Sequence, residues 1–143
     1  MPERSSPPVL QLRVALTSRD LERLERFYLA GLGLEPTATW RHGADARGVM
    51  VPLGHATLEL FDKPYAAHVD GLEAGGRVSG PVRLALQVPD LDAALARLVE
   101  HGATVVHPPV TTPWGDRNVR LQDPEGLQVT LFEEAERVPG TDA

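Results

Sequence analysis

Cysteine is absent from this chain of 143 residues, so disulfides and thiolate-bound metals are excluded. Lysine is nearly absent too: Lys63 stands alone among 14 basic residues. Any anion recognition here therefore falls to arginine, which offers two parallel hydrogen bonds to a carboxylate or phosphate. The net charge is −6 and no basic cluster exists to follow a phosphate backbone, which argues against nucleic-acid binding. No apolar run approaches the roughly 18 residues that a membrane span needs. The opening MPERSSPPV has no apolar signal core and reads as a loose tail, so a cytoplasmic protein is expected. A glycine-rich phosphate loop, a GxSxG elbow and a recognisable Ser-His-Asp spacing are all missing.

What is present is a repeat. Arg13-Val14-Ala15-Leu16-Thr17-Ser18-Arg19-Asp20-Leu21 returns as Arg83-Leu84-Ala85-Leu86-Gln87-Val88-Pro89-Asp90-Leu91, with Arg, Ala, Leu, Asp and Leu in register. Two similar modules are implied, with a cleft where they meet. In the first, Leu10, Leu12, Val14 and Leu16 alternate with Gln11, Arg13, Ala15 and Thr17, the pattern of a half-buried strand. Ser18 or Asp20 caps a helix over about 20–30 with Leu21, Leu24, Phe27 and Tyr28 as its stripe, stopped by Gly31 and Gly33. Strands are predicted near 36–41, 47–53 and 56–62. The second module repeats this order: strand 82–88, helix 90–101 with Leu91, Leu95 and Leu98, then strands near 103–107, 117–122 and 127–133. Asp123-Pro124-Glu125-Gly126 forms a tight turn.

The expected organisation is thus a tail 1–8, a βαβββ module 9–63, a glycine-rich linker 64–80, a second βαβββ module 81–134 and a tail 135–143. The linker holds Pro64, Gly71, Gly75, Gly76 and Gly80 and reads as the most mobile internal segment. The fold class is α+β, with helices on one face of a curved sheet and the polar members of each alternation turned to a shared cleft.

Val14-Ala15-Leu16, Asp20-Leu21, Phe27-Tyr28, Gly31-Leu32-Gly33-Leu34, Leu58-Glu59-Leu60, Leu84 to Leu91 and Asp123-Pro124-Glu125-Gly126-Leu127 fall in an order that resembles the vicinal oxygen chelate superfamily. That group includes the glyoxalase I, bleomycin-resistance and ring-cleaving dioxygenase families. The resemblance covers about residues 9–134. It implies the fold, and it leaves the activity open, because this fold carries many chemistries. It also implies a homodimer, the common state of the superfamily, with exchange of modules between chains permitted by the linker.

In the superfamily's metal enzymes the ligands occupy four strand positions, which fall here at Arg13, Glu59, Arg83 and Thr130. A guanidinium has no lone pair to donate and repels a cation. Only Glu59 suits a divalent metal. The resemblance therefore implies that the metal centre is absent and that no cofactor is held. His42, His55, His68, His101 and His107 show no metal-site spacing and read as surface residues.

Two readings of Arg13, Glu59 and Arg83 stay open. They form an internal salt-bridge cluster, or one arginine keeps free donors for an anionic or carbonyl oxygen of a ligand. The period of two turns Asn118, Arg120, Gln122, Gln128, Thr130 and Phe132 to the cleft, with Met50, Thr57 and Phe61 from the first module. Trp114 precedes a segment that the superfamily places over the pocket mouth, where a ring stacks on a ligand or simply packs. The candidate ligand-binding set is thus Arg13, Glu59, Phe61, Arg83, Trp114, Asn118, Arg120, Thr130 and Phe132, with Glu59 as the candidate catalytic group. The function expected is metal-independent binding of a small neutral or anionic organic molecule, such as an antibiotic or secondary metabolite. The alternative is an enzyme of the glyoxalase type: a lyase, isomerase or dioxygenase. It would be metal-free with Arg/Glu chemistry, or metal-dependent through Glu59 and histidines. The run Glu133-Glu134-Ala135-Glu136 reads as a solvated chain end.

Overall fold

The computed structural model describes residues 8–76 and 79–135, so most of both expected tails lies outside it. The repeat forms one eight-stranded sheet within a single chain. Strands β1 (Gln11–Ser18), β2 (Ala38–His42), β3 (Ala46–Leu53) and β4 (Ala56–Asp62) make one half, ordered β2-β3-β4-β1. Strands β5 (Val82–Gln87), β6 (Thr104–Thr111), β7 (Arg117–Gln122) and β8 (Gln128–Glu133) make the other, ordered β5-β8-β7-β6. The halves join through the antiparallel pair β1–β5, and each first strand runs parallel to the last strand of its own half.

The repeated Asp-Leu pairs start the two outer helices. Asp20 accepts the Arg23 N–H at 3.1 Å and opens α1 (Leu21–Glu25), and Asp90 accepts that of Ala93 at 3.1 Å and opens the next outer helix, Leu91–Glu100. Leu21 and Leu91, one residue on, are both buried under the sheet. Their clusters take the apolar face of each alternation: Val49, Val51, Leu58 and Leu60 in the first half, and Val119, Leu121, Val129 and Leu131 in the second. One detail departs from the expected stripe. After Glu25 the first helix continues as a wider π-helical turn, Arg26–Ala30, and Phe27 lies 69% exposed. Each residue of a wider turn advances by a smaller angle, so a stripe drawn at 3.6 residues per turn drifts off the buried face.

The larger departure is in 64–80. Most of this expected linker is a third helix, α2 (Lys63–Ala74), in chain order between β4 and β5; the helix Leu91–Glu100 is therefore α3. Asp62 caps α2 by accepting the Tyr65 N–H at 2.8 Å, Pro64 sits in its first turn, and Gly75 ends it at φ 78°. It lies on the sheet face opposite α1 and α3. There Tyr65, Ala66 and Val69 pack with Ala15, Ala46 and Phe61. The concave face is therefore half filled by a helix.

Two sites hold α2 down. Gly48 on β3 pairs with Trp40 on one side and Phe61 on the other, and a Cβ there would stand 2.8 Å from Phe61 Cδ1 and 3.0 Å from Tyr65 Cδ2. At the other end, Arg120 of β7 is fully buried, and its Nη1 meets Asp70 Oδ1 at 2.7 Å and its Nη2 meets Glu73 Oε1 at 3.0 Å. Gly48→Ala is expected to destabilise the fold by about 1–3 kcal/mol, the usual result of overpacking, read as a shift in the denaturant midpoint at unchanged slope. Arg120→Ala strips two buried carboxylates of their shared cation and is expected to cost about 3–5 kcal/mol in the same measurement.

Candidate functional site

The repeat places two guanidiniums by symmetry. Across β1–β5, Arg13 lies opposite Ala85 and Arg83 opposite Ala15. Each arginine thus faces the alanine of the other copy, both alanines are buried, and the small side chains leave room for the large ones. One strand further out, Ala15 pairs with Glu59 on β4, and Ala85 pairs with Thr130 on β8. All four positions named from the resemblance converge on the concave face.

They line a cavity of about 380 Å³. Its apolar surfaces come mainly from Trp40, Phe61, Tyr65, Trp114 and Phe132. Trp40 stacks on Tyr65 at 6.0 Å with planes 8° apart, and meets Phe61 edge-on at 6.1 Å. Trp114, 46% exposed in the loop between β6 and β7, stands at the rim. Asn118 also reaches the cavity; its Nδ2 donates to Glu73 Oε2 at 2.8 Å, while its Oδ1 is buried without a hydrogen-bond partner among the described residues.

The charged groups have different fates. Arg13 is the more solvated guanidinium. Its Nε donates to Gln11 Oε1 at 3.0 Å, its Nη2 to Glu134 Oε1 at 3.4 Å, its Nη1 stands 3.8 Å from Glu59 Oε2, and the group lies 4.6 Å over the Phe132 ring. Arg83 is 5% exposed. It makes one side-chain hydrogen bond, Nη1 to Thr130 Oγ1 at 2.9 Å, and no ion pair within 4.0 Å among the described residues. Most of its donors are left to the cavity.

Glu59 is buried and accepts no hydrogen bond among the described residues. Burial pushes its carboxyl above the usual carboxylate range, Glu73 adds to the rise, and Arg83 and Arg13 only partly oppose it. Glu73 goes the other way. Burial would raise it, but Arg83 and Arg120, with hydrogen bonds from Thr130 and Asn118, hold it below its ordinary value. Two carboxyls on one concave face are thus driven apart in acidity by their partners.

Arg120 does not belong to the site. Beyond its two carboxylates it donates to Ser79, Gln128 and Thr130, which uses its donors inside the protein. The period of two gives its direction correctly, but α2 covers it. Glu134 is corrected as well. It is no free chain end, since it holds Arg13 and lines the cavity. Tyr65, Val69 and Glu73 join the lining unforeseen, all from the segment read as a linker. The signal was there in Asp62 and Pro64, a cap followed by a first-turn proline.

The donor set at the four positions does not suit a divalent cation: two guanidiniums and a threonine hydroxyl surround one carboxyl. Glu73, the nearby second carboxylate, is already held by Arg120, Thr130 and Asn118. Among the described residues no group of three or more histidine or carboxylate side chains could hold a metal ion.

The model of the Glyoxalase/Bleomycin resistance protein/Dioxygenase superfamily matches residues 11–131. The chain is 35% identical over 126 residues to the anthracycline biosynthesis protein DauV of Streptomyces sp. (strain C5), a match that covers 88% of this chain and 42% of that protein. It is 32% identical over the same length to the anthracycline biosynthesis protein DnrV of Streptomyces peucetius, with the same coverage. The chain thus spans about two fifths of the length of the curated relatives it matches. Methylmalonyl-CoA epimerase from Mycobacterium tuberculosis shares the fold, with a TM-score of 0.65 at 21% identity over 94% of each chain. By the match over residues 11–131 and by strand order, the chain belongs to the glyoxalase/bleomycin resistance protein/dioxygenase superfamily.

Proposed function

We propose that the chain binds a small, planar, neutral or anionic organic molecule in the cavity, without a metal, and that Arg83 receives its carbonyl or anionic oxygen. The observation that carries this is the state of Arg83: buried, with one side-chain hydrogen bond among the described residues, and opening into a space walled by aromatic rings. A cation deprived of water and short of acceptors gains most from an oxygen that a ligand supplies. The aromatic walls favour a flat ring system, and the similarity to anthracycline biosynthesis proteins points to an aromatic polyketide. A cationic ligand fits poorly, since guanidiniums stand at two of the four positions. We also propose that the chain works as a homodimer in the cytoplasm. The relatives' greater length leaves room for a second such unit, and no helix among the described residues is long and apolar enough to cross a membrane.

Glu59 favours a second reading, that of an enzyme. A buried carboxyl with no hydrogen bond among the described residues and a raised pKa suits proton transfer. With a carbonyl oxygen on Arg83, ionised Glu59 would take a proton from the adjacent carbon, and the enolate oxygen would remain on the guanidinium. Returning the proton to the same carbon, or to a neighbouring atom, would make the reaction an isomerisation.

A thermal-shift panel of carboxylates, phenols and aromatic polyketides tests the binding reading. Planar aromatic ketones and acids are expected to raise the melting temperature, and Arg83→Ala to weaken their binding about tenfold or more while remaining folded. No shift for any compound, or equal shifts with and without Arg83, overturns it. The raised pKa of Glu59 sets the pH dependence: the carboxyl is neutral below that pKa and repels an anion above it. Affinity for an aromatic carboxylate should therefore fall as the pH rises above the ordinary carboxylate range, and Glu59→Gln should flatten that slope. Conversion of a ligand by the wild type and not by Glu59→Gln, seen by chromatography after incubation, decides for the enzyme.

A further inference from the structure

A second hollow lies against the first. It measures about 510 Å³ and is open to solvent, and it shares Arg13, Met50 and Glu134 with the inner cavity. The two chambers differ in chemistry. The inner one has the aromatic rings and Arg83; the outer one sets Gln11, Thr37, His55, Thr57 and Gln87 among aliphatic groups such as Leu10 and Pro52, with no aromatic ring but the imidazole. Its charged groups, Arg13 and Glu134, are paired with each other at 3.4 Å. Its polar surface is otherwise amide, hydroxyl and imidazole. Gln11 is already oriented there, donating to Thr57 Oγ1 at 2.7 Å and accepting from Arg13 Nε.

Such a lining neither attracts a charged group nor stacks a ring; it offers neutral donors and acceptors in turn. We propose that the binding site continues past Arg13 into this outer chamber, and that the ligand has two parts: an aromatic carbonyl core for the inner chamber and an uncharged, hydroxylated arm for the outer one. Arg13 is the divider. Lying 4.6 Å over the Phe132 ring and tethered to Gln11 and Glu134, it stands at the junction, where the arm leaves the core. This inference rests on the binding reading above and adds the class of ligand.

The test uses a matched pair of probes, 1,2-dihydroxyanthraquinone and its 2-O-glucoside, titrated by calorimetry into the full chain. The glucoside is expected to bind about tenfold tighter than the aglycone, the worth of two or three net hydrogen bonds. Gln87→Ala and His55→Ala change residues that line only the outer chamber. Each should bring the ratio of the two affinities down to about twofold or less. If the aglycone binds and the glucoside binds equally or more weakly, or if the ratio survives both substitutions, the site ends at Arg13 and the extension is wrong. If neither probe binds, the reading of the inner cavity falls first, and the extension falls with it.

Discussion

The hollow owes its shape to one buried network, the grip of α2 on the second half of the sheet. Glu73 takes hydrogen bonds from Arg120, Thr130 and Asn118 through its two oxygens, while Asp70 takes them from Arg120 and Ser79. Burying a guanidinium completely is unfavourable unless its donors are met, and here the helix supplies the acceptors. In return the helix is fixed at a set height in the cleft. Space that an open sheet would leave to solvent is divided. The part over Arg120 is filled, and the part bounded by Trp40, Phe61, Arg83 and Phe132 stays open. From α2, Tyr65, Val69 and Glu73 form one side of that open part.

The same network accounts for the character of Glu59. Its two guanidinium neighbours are both shared. Arg13 divides its donors between Gln11 and Glu134, and Arg83 stabilises the charge on Glu73 as well. Neither arginine gives Glu59 a hydrogen bond, so desolvation dominates and holds its pKa above the ordinary carboxylate value. Opposite charges on one concave face do not by themselves make a closed salt-bridge cluster. The contest among acceptors leaves one acid underserved and one base with spare donors, and these two line the same cavity.

Much of this was legible in the sequence. The repeat fixes two equivalent halves, and across β1–β5 the register sets the arginine of each copy against the alanine of the other. Alternation placed Arg13, Phe61, Arg83, Asn118, Thr130 and Phe132 on one face, the resemblance added Glu59, and all of them line the cavity. What failed to show was α2. An outer helix advertises itself by an apolar stripe over a polar back. Here the buried face mixes Tyr65, Ala66 and Val69 with Asp70 and Glu73, and the acids look like solvent-facing residues until Arg120 is set beneath them. Glycines at 71, 75 and 76 complete the disguise, though only Gly75 among them adopts the left-handed backbone that a glycine is needed for. Periodicity reads burial through hydrophobicity, so it misses burial by ion pairing.

Arg83 and Arg120 make the consequence concrete. Both point from neighbouring parts of one sheet to the same side, both are buried, and both donate to the hydroxyl of Thr130. From alternation alone they are equivalent candidates for holding an oxygen of a ligand. The acids of α2 separate them. One guanidinium is matched by two carboxylates, a serine and a glutamine, and has become part of the framework. The other attracts Glu73 without a hydrogen bond to it, gives one donor to Thr130 and keeps the rest. A residue's availability for binding is thus set less by the strand that carries it than by the element packed against it. In this fold that element is the helix joining the two halves, whose Asp70 and Glu73 take up Arg120 and leave Arg83 to the cavity.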